Sequence, residues 1–439
     1  MHSLKSISIF FLLISTGFQI QAQSDSAKKD LFTADLEIRP RTEYRNGFRQ
    51  LRSDTGQAAF FTSQRSRLNL NFKKEKFAAV LSLQDVRTWG AADPKSTAAS
   101  VQIFEAFVEP YFNSRLSLRI GKQRIMYDNQ RFFAQNDWRQ NGGTHDALNL
   151  RYYAPRFENE LVFAFNQSAE SNWFTNFAPT GFTSYKTLGV NYFKWTSLSK
   201  KLVVTSINYF EGFQQVTKNI GSEKQNFRYT DGAKVEYGAS KWWLALSAYI
   251  QHGHNAVGKT VSAFYFQPEL RYINKGTILK LGAEIKSGNN TSSADANYNA
   301  TDHAFQFPYG LAHRYNGTME YFANGYPGSA RDVGLVDPYF FIEQAIKPKL
   351  SILIQNHVFF SQWRPSDANK VLQSSTYLGF ENDLLLVYRP NSYTKIDLGF
   401  SWLLATKSLQ AISGGNSDYI PHWSYVQATF TPKLFSIKN

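Results

Sequence analysis

The chain has 439 residues, 43% hydrophobic, 19% charged and 16% aromatic, with no Cys and a formal net charge of +14. That composition excludes a disordered polar chain, a disulfide framework and any Cys-ligated metal site. A basic balance raises nucleic-acid binding, but no zinc-finger spacing, helix-turn-helix pattern or basic amphipathic helix carries it, so no nucleic-acid partner is expected.

Residues 1–22 read as a secretory signal peptide: Lys5 precedes an apolar core from Ile7 to Ile14, and Ala22 is the small residue at the cleavage point. The mature part, 23–439, is expected to start near Gln23. It reads as one domain, since no linker, composition shift or fixed-period repeat divides it. No Cys follows the apolar core to take a lipid anchor, and no later run approaches the ~18 apolar residues of a membrane-spanning helix. A membrane would have to be crossed with strands. The 37 Phe, 24 Tyr and 9 Trp exceed the needs of one soluble core, while mean hydropathy is negative. Aromatic girdles around a polar lumen reconcile the two.

From residue 31 onward the dominant period is two. In the first strand Ala34, Leu36, Ile38, Pro40, Thr42 and Tyr44 alternate with Asp35, Glu37, Arg39, Arg41, Glu43 and Arg45. Strands are predicted over 33–45, 60–73, 76–88, 101–112, 115–124, 145–154, 159–168, 184–195 and 200–212. They continue over 226–238, 241–252, 261–273, 276–286, 333–346, 349–361, 373–389, 393–405 and 420–432. Tight turns at Lys74-Glu75, Asn113-Ser114, Ala239-Ser240, Asn274-Lys275 and Pro348 alternate with long loops. A soluble sandwich has no reason to sort its loops this way. The pattern predicts an all-β protein: one transmembrane antiparallel barrel of about 18 strands, with long extracellular loops and short periplasmic turns.

The longest loop, 287–332, opens on Ser287-Gly288-Asn289-Asn290-Thr291-Ser292-Ser293 and then carries His303, Phe305, Phe307, His313, Tyr315, Tyr321 and Phe322. Two readings stay open. Its aromatic half either folds into the barrel mouth as a constriction or sugar-stacking platform, or belongs to a mobile surface loop.

Fifteen of the 21 Arg lie between Arg39 and Arg156. Arg39, Arg41, Arg65, Arg67, Arg119 and Arg151 take the lumen parity of their strands. Guanidinium forks hold carboxylates at any relevant pH, so the ladder reads as a track of weak, exchangeable anion sites, each worth ~0.2–1 kcal/mol in a wet lumen. Alternatively the lumen is cross-paired, through Asp35, Glu37, Glu43, Asp85, Glu105 and Glu109. No catalytic residues, metal or cofactor are expected. No His has a Ser-containing context suited to nucleophilic catalysis, and His252-x-His254 lacks a third ligand. Asp295, Asn297 and Asn299 imitate a calcium loop, but Ala300 and Gln306 stand where Gly and Glu are required.

Gln64-Arg65-Ser66-Arg67-Leu68, Gln84-Asp85-Val86-Arg87-Thr88-Trp89-Gly90 and Gly121-Lys122-Gln123-Arg124 follow one another in order. Tyr127-Asp128-Asn129-Gln130-Arg131-Phe132, Asp137-Trp138-Arg139 and Asp146-Ala147-Leu148-Asn149-Leu150-Arg151 come next. His313-Arg314-Tyr315-Asn316-Gly317 and Gly334-Leu335-Val336-Asp337 close the set. This ordered series resembles the alginate export (AlgE-like) family of outer-membrane porins. The resemblance implies an 18-stranded monomeric barrel in a Gram-negative outer membrane, with an Arg-rich pore for an anionic polyuronate. It assigns Arg65, Arg67, Arg87, Arg124, Arg131, Arg139 and Arg151 to the pore, with Asp85, Asp128 and Asp146 as acidic partners. The chain departs from the family pattern in two places: Gly142-Gly143-Thr144-His145 stands where a basic residue is expected, and nine residues follow Phe430.

The leading expectation is therefore a passive channel for anionic oligo- or polysaccharide such as alginate. Outer-membrane lipid and lipopolysaccharide would surround it, and periplasmic polysaccharide-synthesis proteins would feed it. The alternatives are a general or small-anion porin and, in a different class, an outer-membrane enzyme or adhesion barrel. The short stretch between Gln23 and the first strand leaves no room for a plug domain, which argues against energy-coupled transport.

Overall fold

The computed structural model describes residues 30–91, 93, 100–180, 184–215, 224–311, 313–322, 332–367 and 369–438. The expected signal peptide and the start at Gln23 lie outside them. The strands, in chain order, are β1 (Asp30–Asn46), β2 (Ala59–Lys74), β3 (Phe77–Thr88), β4 (Val101–Pro110), β5 (Leu116–Gln123), β6 (His145–Ala154) and β7 (Phe157–Phe165). β8 (Thr187–Thr196), β9 (Leu202–Gln214), β10 (Gln225–Ala239), β11 (Trp242–His254), β12 (Thr260–Asn274) and β13 (Thr277–Lys286) follow. After the two-residue β14 (Thr301–Asp302) come β15 (Leu335–Lys347), β16 (Leu350–Ser361), β17 (Tyr377–Asn391), β18 (Thr394–Ala405), β19 (His422–Phe430) and β20 (Lys433–Lys438). Two short helices, α1 (Ala296–Asn299) and α2 (Lys407–Ser413), lie in long loops.

Each long strand pairs antiparallel with its sequence neighbours, β13 pairing β15 across the longest loop. β1 closes the sheet by pairing β2 on one edge and β19 on the other. β14 is a spur, parallel to the start of β12. β20 continues β19 past a break at Thr431-Pro432. Pro432 has no N–H to give the ladder, but its carbonyl accepts from Leu36 N at 3.1 Å, and Phe32 then pairs Ile437. The residues after Phe430 thus complete the seam with the lower part of β1. Counted this way, the barrel has the 18 strands that the periodicity predicts.

The turns Glu75-Lys76, Ser240-Lys241 and Lys275-Gly276 fall one residue beyond their predicted positions, while those at Asn113-Ser114 and Pro348 lie where predicted. Ser240, at φ 56°, and Lys275-Gly276, at 43° and 87°, turn the chain in the left-handed region that two-residue hairpins need. Outward positions carry the apolar half of each alternation, such as Leu148, Leu161, Leu244, Leu281, Leu398 and Val426, all exposed. That wall suits lipid. The aromatic surplus is divided between this wall and the interior. One buried cluster, built on Phe132, Phe133, Tyr209, Tyr249, Tyr265, Phe305 and Tyr309, fills the lumen between β6 and β13. A second, with Phe48, Met319, Tyr321, Phe322, Phe359, Leu409 and Trp423, caps it on the β15–β19 side. Most of the side chains at the centre of both clusters come from loops.

Candidate functional site

The loop between β5 and β6, residues 124–144, runs through the barrel and lies against β1 and β2. Its bends put Asp128, Gln130 and Asn136 in the left-handed region, at φ 48°, 65° and 49°, and Gly142 sits where a Cβ would strike the Phe104 ring. The segment 137–140 is seated on three arginines. Arg39 donates to the Asp137 carbonyl at 2.6 Å, the Arg139 carbonyl at 3.0 Å and Gln140 Oε1 at 3.0 Å. Arg65 donates to Asp137 Oδ1 at 2.8 Å and to Glu37 Oε1 at 3.0 Å. Arg41 donates to the Trp138 carbonyl at 2.8 Å and stacks on its indole at 3.9 Å. Arg67 instead takes a neutral acceptor, Gln84 Oε1 at 2.7 Å, and lies 3.5 Å over Phe104. Burial raises the affinity of Asp137 for its proton, but Arg65, Arg39 and Arg67 together hold it well below the usual carboxylate range.

The longest loop supplies the opposite seat. Its tip, Asn316-Gly317-Thr318-Met319-Glu320, rests on carboxylates of β13, β15 and β17. Asn316 Nδ2 donates to Glu284 at 2.7 Å and to Asp337 at 3.0 Å. Met319 N donates to Glu381 at 2.8 Å, and the Thr318 hydroxyl donates to Asp383. Gly317, at φ 82°, lets the backbone lie directly on the Glu381 carboxyl group. His357 adds an imidazole 3.0 Å from Asp337. The described residues of the loop are thus neither a free surface segment nor an aromatic platform alone: they fold inward and are latched by hydrogen bonds.

The two loops join across the lumen. Ala134 N donates to the Tyr309 carbonyl and Leu311 N to the Gln130 carbonyl, both at 2.9 Å. Trp138 stacks on His313 at 3.7 Å. Arg131 spans the junction: it donates to Glu284 at 2.7 Å and to Asn316 at 2.8 Å while lying over Phe307 and Tyr315.

The other expected pore residues separate into two groups. Arg119 and Arg151 face the lumen below the loops and share Glu109, each at 2.8 Å, Arg151 also reaching Glu160 at 3.1 Å. Arg124 pairs Glu105 at 2.8 Å. Arg139 serves through its carbonyl, and its side chain is half-buried. Asp128 is not an arginine partner: it accepts from Tyr192 and Thr205, at 3.0 and 2.6 Å, and burial raises its affinity for a proton. Asp85, Arg87 and Asp146 are placed away from the arginine wall. Register sets Asp85 opposite Ser66 and Arg87 opposite Gln64, on the face away from Arg65 and Arg67, and the two pair with each other at 2.6 Å. Asp146 shares the outward parity of exposed Leu148 and Leu150 and lies opposite Lys122. A strand end near the extracellular rim carries charges on both faces, so motif membership alone does not give their direction.

The carboxylate seat of Glu284, Asp337, Glu381 and Asp383 was not singled out from the sequence. Its signal was inward parity on three strands, which becomes a site only once the tip of a loop folds onto it.

No family model matches the sequence, and no curated protein matches it. Solved structures do share the architecture. OpdO of Pseudomonas aeruginosa superposes with a TM-score of 0.61 at 10% identity, over 92% of this chain and 98% of that one. OccAB2 of Acinetobacter baumannii gives 0.61 at 13% identity over the same shares. OpdK of Pseudomonas aeruginosa, crystallised with vanillate, gives 0.58 at 10%, again over 92% and 98%. The fold is that of outer-membrane porins. The 18-stranded barrel of the family expectation stands, and at these identities the likeness establishes the fold alone.

Proposed function

We propose that this protein is an outer-membrane channel for small organic anions, carboxylates above all, which pass the joined loops along the arginine side of the lumen. The observation that carries this reading is the junction of the two loops, held by backbone hydrogen bonds and the Trp138–His313 stack. A lumen crossed in this way suits a short solute better than a polymer. Arg39, Arg41, Arg65 and Arg67 are 1–5% exposed beneath loop 124–144, so they hold the constriction rather than offer free sites. Guanidinium edges remain accessible at Arg45 and Arg49 near the mouth, Arg124 at the loop's base, and Arg119 and Arg151 below it, with side-chain exposures between 17% and 47%. Partly neutralised, exchangeable sites of this kind bind lightly enough to release. The vanillate seen with OpdK is a carboxylate of this size class.

A polyuronate such as alginate is the second reading. It is favoured by the ordered motifs between Gln64 and Arg151, of which Arg65 and Asp137 meet on one side of the lumen. Reversal potentials in a salt gradient and single-channel recording decide between them. Anion preference with passage of small carboxylates, and no block by polyuronate, supports the first reading. Stepwise block by polyuronate supports the second, and a cation-selective pore overturns both.

A further inference from the structure

His252, one of the two imidazoles that end β11, does not face the lumen. Inward positions there are Tyr249 and Gln251, both buried, while His252 shares the outer face with Leu244, Leu246 and Ile250, which are exposed. Its Nε2 lies 3.0 Å from Asp231 Oδ2 on β10, with side-chain exposures of 52% and 44%. An acid on this wall stands among groups meant for lipid. Six residues at about 3.3 Å each, tilted by about 40°, put Asp231 on the order of 15 Å above exposed Tyr237, within an apolar band about 25 Å tall.

The surroundings are polar and small as well. Asn208 lies directly opposite Asp231, and Asn191 opposite Asn208. Asn208 donates to Ser206 Oγ at 2.7 Å, and Ser206 donates to the Gly232 carbonyl at 3.0 Å. One rung lower, register aligns Ser206, Ala233 and Ala248, three small side chains on adjacent strands. Beside them a groove of about 560 Å³ is lined by Asp231, Ala248, Ile250, Phe264, Phe266 and Ile285. Elsewhere the wall presents side chains such as Leu148, Leu281, Leu398 and Phe400. Ionisable groups in a membrane-facing wall mark a partner or a function.

We propose that the β8–β13 wall is the interface of a homodimer, with its two-fold axis along the membrane normal at the seam of β10 and β11. A two-fold interface must be self-complementary, and this patch holds both halves of its own complement. Rotation about that seam brings Asp231 of each copy to His252 of the other. It also sets the Phe264–Phe266 ridge of β12 against the short side chains of β9. The amides of Asn191 and Asn208 both donate and accept. An acyl chain offers the exposed edges of the Asp231–His252 pair neither donor nor acceptor, whereas a second copy offers both. The proposal concerns the outer wall alone, stands apart from the pore reading, and departs from the monomer that the family resemblance implies.

The chain contains no Cys, so single-cysteine variants report cleanly. In isolated outer membranes Ala248→Cys should give a crosslinked dimer with a short bis-maleimide, and Leu398→Cys on β18 should not. In nanodiscs, mass photometry should show wild-type dimers, and Asp231→Leu or His252→Leu should lower the dimer fraction at least tenfold. Conductance per barrel and heat-modifiable migration should stay unchanged, because the substitutions place apolar side chains on the lipid side. Wild-type particles that are monomeric, bare or carrying lipopolysaccharide, overturn the proposal. So does an Asp231→Leu protein that remains dimeric.

Discussion

The two seats inside the barrel use opposite charge to do the same job. On β1 and β2, strand cations grip an inward loop by its carbonyls and by one acid, Asp137. On β13, β15 and β17, strand acids grip the other loop by an amide, a hydroxyl and a backbone N–H, from Asn316, Thr318 and Met319. A long guanidinium reaches several acceptors at once, so the arginine seat tolerates a loop that merely lies alongside. Carboxylates on short stems need donors brought to them, which requires the sharp left-handed turn at Gly317. The arginine seat is therefore fixed by charge pairing and the acidic seat by backbone geometry.

Reversing charge on the first seat should give the largest effect. Arg65→Glu with Arg67→Glu places two acids beside Glu37 and Asp137. Breaking a buried pair in this way costs about 3–5 kcal/mol, enough to free loop 124–144. The barrel should still insert, but conductance should rise and trypsin should cut at Arg131 or Arg139. The exposed-ladder picture leads instead to altered selectivity with the loop in place, so limited proteolysis separates the two.

On the second seat the equivalent break is steric. Gly317→Ala adds a Cβ about 2.5 Å from the Glu381 carboxyl atoms at a positive φ, and about 1–3 kcal/mol of strain is expected there. Single-channel traces should become noisy as the 313–322 tip leaves its seat, while the 124–144 loop stays protected. Quiet traces would mean that the tip does not depend on this turn.

Acidity gives a milder comparison. Asp137 is held below the usual carboxylate range by Arg65, Arg39 and Arg67 against the opposing effect of burial. Its contribution to the latch is fully present above the unfolded carboxylate value and is lost only as pH falls through the lower folded one. Between pH 7 and 5 the arginine seat should therefore be unchanged, and Asp137→Asn should loosen the loop at both values. If wild-type protease sensitivity rises by pH 5, Asp137 is not the latch.

The smallest effect belongs to the open part of the wall. Arg119→Gln with Arg151→Gln removes two partly exposed cations, each worth ~0.2–1 kcal/mol toward a carboxylate in a wet lumen. The reversal potential should shift toward zero by a few millivolts, less at high salt where the Debye length is ~3 Å. A shift as large as that of the Arg65/Arg67 variant would return the selectivity to the ladder as a whole.

Strand number, strand facing and loop sorting were legible in the sequence because each is a local property. A period of two separates lipid from lumen within a single strand, as Ala34 to Arg45 already shows. The same rule was right for Arg39, Arg41, Arg65 and Arg67 and would have excluded Asp85, Arg87 and Asp146, which entered as members of motifs. Asp137 and Gln140, which hold the arginines, lie about a hundred residues away from Arg39, and no periodicity connects them. His252-x-His254 offers two imidazoles without a third metal ligand in the sequence. Parity turns His252 outward, and what stands beside it, Asp231, comes from the neighbouring strand.

By itself, then, the sequence determined a closed barrel, which face of each strand meets lipid and where the arginines concentrate, since alternation and turn chemistry act over a few residues. Tertiary structure alone decided that two long loops enter the lumen, join, and consume half of the arginine ladder and a set of acids as their seats. Loops carry no period, and the free energy that places them comes from partners supplied by strands far away in the chain, so their destination exists only once the barrel has closed.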